Sequence, residues 1–233
     1  LLGVNTGLEY MLTKSIKKLS DDKQTTIGIV SLGEKPTSDE NINMILSERF
    51  KINNNINLDN LSPLEIDLVL LHGTHGDILE TQISNLHNYV NKGGKLFIAQ
   101  GKIIPDLQTS QGTLINSNIF NFLDSLGLHI EDNLVLDQSC KQLVARQQTG
   151  IFSVQRQIDY PFIPSITNFD NKENIITGLE GIQVVQVAFP SEITITKNND
   201  SFIPLLQTSN NSALMSDFFN LGALPEINPI LNE

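Results

Sequence analysis

Residues 63–101, PLEIDLVLLHGTHGDILETQISNLHNYVNKGGKLFIAQG, constrain the fold of this chain more than any other stretch. Ile66, Leu68, Val69, Leu70 and Leu71 make a short apolar run closed by His72-Gly73, the pattern of a strand buried on both faces of a parallel sheet. Leu79, Ile83, Leu86 and Val90 follow at spacings of four, three and four, which predicts a helix with one apolar stripe. Gly93-Gly94 offers a left-handed residue to end that helix, and Lys95-Leu96-Phe97-Ile98-Ala99 resumes a strand. Strand, helix and strand in so short a span predict a right-handed βαβ crossover with its two strands parallel in one sheet.

The rest of the chain hangs on that sheet. Leu8, Met11, Leu12, Ser15, Ile16 and Leu19 share one face, which predicts a leading amphipathic helix within residues 1–20. TTIGIVSL (25–32) is the expected first strand, and Gly33-Glu34-Lys35-Pro36 the loop at its carboxyl end. Thr37 and Glu40 form a capping box that opens a second helix, with Ile42, Ile45, Leu46 and Phe50 on its inner face. KINNNIN (51–57) alternates Ile52 and Ile56 and favours an edge strand. Residues 103–117 are rich in turn and polar residues and read as a long loop. NIFNFLDSL (118–126) reads as a helix between Ser117 as N-cap and Gly127 as C-cap, with Ile119, Phe122, Leu123 and Leu126 inward. Residues 128–130 and 133–137 suggest a short strand pair.

Beyond, residues 138–172 break into short alternating segments, a smaller antiparallel β and loop elaboration. Residues 174–179 suggest a turn or one helical turn. Strands return at 184–189, 192–196 and 202–208, and 210–233 reads as a loosely packed tail. The expected organisation is therefore the leading helix at 1–20, a single α/β domain at 21–209 and the tail, with a mostly parallel central sheet and helices on both faces.

Composition narrows the function. The chain has 15 Lys and Arg against 26 Asp and Glu, a net charge of −11 that repels phosphate backbones, so nucleic acid is not an expected partner. Lys14, Lys17 and Lys18 fall at helical spacing and read as the solvated side of the leading helix. The single cysteine, Cys140, excludes an internal disulfide and a cysteine-based zinc site. No run approaches the roughly 18 apolar residues a membrane helix needs. A chain opening at Leu1-Leu2 is expected to be a piece of a longer protein, with any membrane anchor outside it.

Chemistry is sought where open α/β sheets bind ligands, past the carboxyl ends of their strands. Two histidines and an aspartate in HGTHGD (72–77) suggest a metal, but no further imidazole or carboxylate cluster adjoins them, so neither metal nor cofactor is expected. A cysteine nucleophile in such a fold sits on a strand-to-helix elbow, where this chain has Gln100-Gly101. Cys140 lies elsewhere and reads as a bystander. Neither Gly-x-Ser-x-Gly nor a glycine-rich phosphate loop is present. His87 and His129 stand alone, and Asp106, Asp132 and Asp137 read as turn residues. The candidate contacts for a ligand or partner are Gly33, Glu34, Gly73, Thr74, His75, Asp77, Gln100 and Gly101, chosen for loop position. An enzyme using His72, His75 and Asp77, and a spacer dimerising through a sheet edge, stand as alternatives.

One resemblance runs through the whole order of elements. DLVLLHG (67–73), a helix ending YVNKGGKL (89–96), LDSLGLHIEDNLVLD (123–137), IITGLE (175–180) and PLLQTS (204–209) occur in the sequence and spacing of the ABC-transporter auxiliary domain of GldG-type gliding-motility proteins, which the chain resembles over about residues 8–215. The resemblance implies a flavodoxin-like or class I glutamine-amidotransferase-like α/β sheet without catalytic residues. It also implies an extracytoplasmic domain, tethered to the inner membrane by outside segments, beside an ABC permease and ATPase. A glycan or lipid-linked ligand fits such a role.

Overall fold

The computed structural model describes residues 24–33, 40–54, 56–149, 152–167, 182–196 and 202–222, with helical positions 12 and 16. Most of the leading helix, Glu34, Thr37 and residues 174–179 lie outside the described residues. The chain divides into two compact units, Leu1–Gln100 and Gly101–Glu233.

In the first unit, β1 (Thr26–Gly33), α1 (Glu40–Ser47), β2 (Lys51–Asn53), a 3₁₀ turn at Leu58–Asn60, β3 (Leu68–His75), α2 (Glu80–Asn91) and β4 (Lys95–Ala99) follow in order. All four strands are parallel, in the order β2-β1-β3-β4. The expected central crossover is thus present, and β2 is an edge strand shorter than KINNNIN suggests. Ile27, Ile29, Val30, Val69 and Leu71 are buried in the sheet. Gly28 is needed where it stands, because a Cβ there would overlap Ile56. Asp67 sets the register of β3: its carboxylate accepts the Thr26 amide at 2.8 Å while its own amide donates to the Thr26 carbonyl at 3.0 Å.

Two helical stripes differ from expectation. α2 starts one residue later than its periodicity suggests, with Leu79 extended at the N-cap and exposed. Tyr89 takes its place in the core beside Leu86, both fully buried, and the Tyr89 hydroxyl donates to the Ile66 carbonyl at 3.1 Å. Gly93, at φ 87°, ends the helix, and the Gly94 amide donates to the Tyr89 carbonyl at 2.9 Å. A Cβ on Gly94 would overlap the Tyr89 ring. Tyr89 and Gly94 of YVNKGGKL therefore pack as one unit, and Gly93 supplies the left-handed turn between them. α1 buries none of its residues, and Ile45, expected inward, is 68% exposed. Two turns of helix beside a three-residue edge strand have too little sheet to cover.

The second unit holds β5 (Ile103–Asp106), β6 (Gln111–Leu114), α3 (Ile119–Leu126), β7 (Leu128–Ile130), β8 (Asn133–Asp137), β9 (Cys140–Thr149), β10 (Phe152–Ile166), β11 (Val185–Gln186), β12 (Ile193–Ile195) and β13 (Ser212–Ser216). Every strand pairing described in it is antiparallel. The antiparallel part is thus not a small elaboration confined to 138–172. Residues 103–117, expected as a loop, fold into the β5–β6 hairpin. Asp106 shapes its turn: hydrogen bonds from the Thr109 hydroxyl and the Gln108 and Thr109 amides hold its carboxyl below the usual range. α3 keeps its expected face, with Ile119, Phe122 and Leu123 buried and Gly127 at φ 98° as its C-cap.

β7 and β8 do not pair with each other. β7 pairs with β12 and β8 with β13. The short segments of 138–172 merge into one long β9–β10 hairpin. Residues 202–208, expected as a strand, form none. The described part of the expected tail is tied to the core: β13 lies in it, and Phe219 and Leu221 join Ile103, Leu134, Leu136, Tyr160 and Phe162, while Leu214 and Phe218 stay exposed. Gly112 admits Phe219, since a Cβ there would lie 2.8 Å from the Phe219 Cβ. Tyr160 and Phe162 meet at a tilt of 58° with ring centroids 5.2 Å apart, and the Tyr160 hydroxyl donates to the Leu221 carbonyl at 2.9 Å.

Candidate functional site at the carboxyl ends of β1 and β3

The strand order dictates where to look. From β1 the chain crosses to β2 on one side, and from β3 to β4 on the other, so the topological switch lies between β1 and β3. The register breaks at this point. Ser31 pairs with His72 but Gly33 pairs with His75, leaving a bulge in β3 around Gly73 and Thr74. Gly73 at φ 57° and Gly76 at φ 97° provide the left-handed backbone the detour requires.

Gln100 holds the other side of that bulge. β3 and β4 pair as far as His72 and Ala99, and one residue later the Gln100 side chain replaces the ladder. Its Oε1 accepts the Thr74 amide at 2.7 Å and its Nε2 donates to the Thr74 carbonyl at 3.2 Å. A side-chain amide thus imitates a strand neighbour. Thr74 is completely buried, His72 buried, His75 half-buried and Asp77 exposed. Among the described residues nothing hydrogen-bonds Thr74 Oγ1 or His75 Nδ1, although both atoms are buried. An unsatisfied buried polar atom costs about 1–3 kcal/mol; Asn43 Oδ1 and Ser191 Oγ are in the same state elsewhere, and what sets Thr74 and His75 apart is that they are neighbours on one bulge.

Gly33, Gly73, Thr74, His75 and Gln100 are thereby brought together, by register or hydrogen bond. Glu34 lies outside the described residues. Gly101 belongs to the second unit, where a Cβ on it would lie 3.8 and 3.9 Å from the Phe189 and Ile103 carbonyl oxygens. Among the described residues no three His, Cys, Asp or Glu side chains group as a metal site. Cys140 opens β9, and burial, together with the Asp159 and Asp137 charges, pushes its thiol up, the reverse of what a nucleophile needs.

Three arrangements escaped the sequence. Asp137, read as a turn residue, is almost wholly buried and accepts the Ser139 amide at 2.8 Å and both the amide and hydroxyl of Ser209 at 2.6 Å. It clasps the end of NLVLD to the end of PLLQTS across 72 residues. Lys102, also buried, donates to the Ile130 carbonyl at 3.1 Å, pairs with Asp132 at 2.8 Å and lies over the Phe120 ring. His129, expected alone, has Nδ1 at 2.7 Å from Asp124 and Nε2 at 3.7 Å from Glu131. Only His129–Asp124, on neighbouring turns of chain, left a trace a reader of spacing would find.

Among curated proteins, an uncharacterized protein of Borreliella burgdorferi is 23% identical over 221 residues, which cover 89% of this chain and 41% of that protein. The chain thus spans about two fifths of the length of that relative. Among solved structures, the mmIFT52 N-terminal domain is similar at a TM-score of 0.48 and 14% identity, over 81% of this chain and 75% of that one. A family model described as "ABC-type uncharacterized transport system" matches residues 24–233, through the β1–β3 switch and the Asp137–Ser209 clasp alike. The chain therefore belongs to the ABC_transp_aux family, whose members are auxiliary components of ABC-type transport systems.

Proposed function

We propose that the chain is a non-catalytic binding or scaffolding domain of such a system, of the gliding-motility or export kind. In this reading it works on the extracytoplasmic side, tethered to the inner membrane by segments of the full-length protein and standing beside the permease and ATPase. The loops at the carboxyl ends of β1, β3 and β4 hold a polar ligand, a glycan or a lipid-linked saccharide, or a protein partner. The β2-β1-β3-β4 order supports kinship of the first unit with flavodoxin-type and glutamine-amidotransferase-type sheets, whose ligands sit at the same switch.

The observation that carries the reading is the pair of buried, unpartnered atoms, Thr74 Oγ1 and His75 Nδ1, on a bulge clamped by Gln100. A hydroxyl and an imidazole nitrogen fixed without partners suit the hydroxyls of a neutral saccharide, each of which donates and accepts. The absence of catalysis is supported by Gln100, which spends both ends of its amide on Thr74 at the position where an elbow nucleophile would stand. Thr74→Val is the test. Removing an unpaired buried hydroxyl without changing shape leaves stability equal or higher, so a loss of transport in cells carrying it marks the site as working surface. Unchanged transport in Thr74→Val and in His75→Ala would remove this face from consideration.

A further inference from the structure

The β9–β10 hairpin runs out of the core of the second unit. Tyr160 and Phe162 of β10 are buried, whereas Gln155, Arg156 and Gln157 of the same strand are all exposed. Consecutive strand residues point to opposite faces, so three exposed in a row leave both faces of the ribbon uncovered there. On β9, Lys141, Gln142 and Val144 are exposed as well, Val144 opposite Gln157 in the ladder. A two-stranded ribbon bare on both faces is marginal by itself, and here it extends past the core that supports its base.

Its charge runs opposite to the rest of the chain. The hairpin, Cys140–Ile166, carries Lys141, Arg146 and Arg156 against a single acid, Asp159 at its base, which accepts from Gln142, in a chain whose net charge is −11. Arg146 and Arg156 are two of the three arginines in the sequence, and they sit one step apart in the ladder, where Arg146 pairs with Gln155 and Arg156 with Ala145. An anionic surface therefore attracts the ribbon and repels the body. We infer that the β9–β10 ribbon is a contact arm for anionic lipid headgroups, which orients this domain on the surface of the membrane that holds its transport system. Each basic residue near such a surface adds roughly 1 kcal/mol, so three give a weak, salt-sensitive attachment that sets orientation and leaves anchoring to other parts of the protein.

Flotation of the purified chain with phosphatidylcholine vesicles, with and without phosphatidylglycerol, tests this. Binding is expected only with phosphatidylglycerol and is expected to vanish in high salt. Arg146→Gln and Arg156→Gln should each weaken it about fivefold, with thermal unfolding unchanged, while Lys51→Gln on the edge strand β2 of the first unit should leave it as it is. Equal binding to both vesicles, no binding to either, or binding insensitive to the arginines overturns the lipid arm. Self-association in sedimentation that the arginine variants abolish overturns it in favour of a second, acidic copy of the chain as the occupant.

Discussion

The two units of this chain are built from the same apolar alphabet but closed by different means. In the first, parallel strands are joined by helices, and the pairings stay within one crossover: Tyr89 with Gly94, Thr74 with Gln100 26 residues on, Asp67 with Thr26 41 residues back. In the second, short antiparallel strands find partners far along the chain, β7 with β12 and β8 with β13, and the ends are stitched by the buried Asp137. A sheet closed by crossovers is spelled out locally. A core closed by returning strands is specified by partners that no local window contains.

Substitutions can break that contrast, the largest effects being expected in the second unit. Phe162, fully buried, stacked on Phe189 and tilted against Tyr160, should cost about 3–5 kcal/mol when replaced by alanine. Chemical denaturation should then show the loss, in a separate early transition if the units unfold independently and in a single shifted one if they do not. Asp137→Ala strands three donors, the Ser139 amide and the amide and hydroxyl of Ser209, and should cost about 3 kcal/mol. Ser209→Ala, which keeps the amide bond, should cost less than half as much. Equal losses would mean that the clasp acts through the hydroxyl alone.

The first unit sharpens the comparison at smaller scale. Gly94→Ala must push the Tyr89 ring aside and is expected to cost about 1–3 kcal/mol. Gly93→Ala meets no atom within 4 Å and should cost about 1 kcal/mol, the strain of a left-handed residue alone. The ratio of the two, read from urea midpoints, separates packing from backbone conformation in one dipeptide. Gln100→Ala removes both bonds to Thr74 and should cost about 1–2 kcal/mol, a value that calibrates how firmly the β3 bulge is held.

The same contrast explains what could be read from the residues. β1, β3, α2 and β4 were legible because apolar runs, a three-and-four stripe and a glycine pair sit within one short stretch. The switch point followed from strand order, and with it Thr74 and Gln100, but their mutual clamp did not, since nothing in the spelling of a glutamine says that its amide will complete a ladder. The β5–β6 hairpin was hidden because its strands are short and carry Pro105, Asp106 and Gly112, residues that read as loop. Phe219 and Leu221 read as tail because their partners lie far away in sequence, Gly112 making the room that Phe219 fills. Asp137 looked like a turn residue because its partner, Ser209, is 72 residues off.

Cys140 gives the smallest effect and joins the two themes. It opens β9 beside the Asp137 clasp, and burial first, then the charges of Asp159 and Asp137, raise its thiol pKa. A group raised in the folded state keeps its proton longer there than in the unfolded chain. Below the unfolded thiol pKa, about 8.5, both states are protonated and the contribution is fully present; as pH rises past it the unfolded thiol ionises first and stability falls until the folded thiol follows. Alkylation by iodoacetamide should accordingly be slower in the native chain than in urea at every pH in that window. Asp137→Asn removes one of the charges that raise the thiol and should speed native alkylation. A rate that does not change would mean that burial alone protects the sulfur, and that the clasp and the cysteine are neighbours without electrostatic contact.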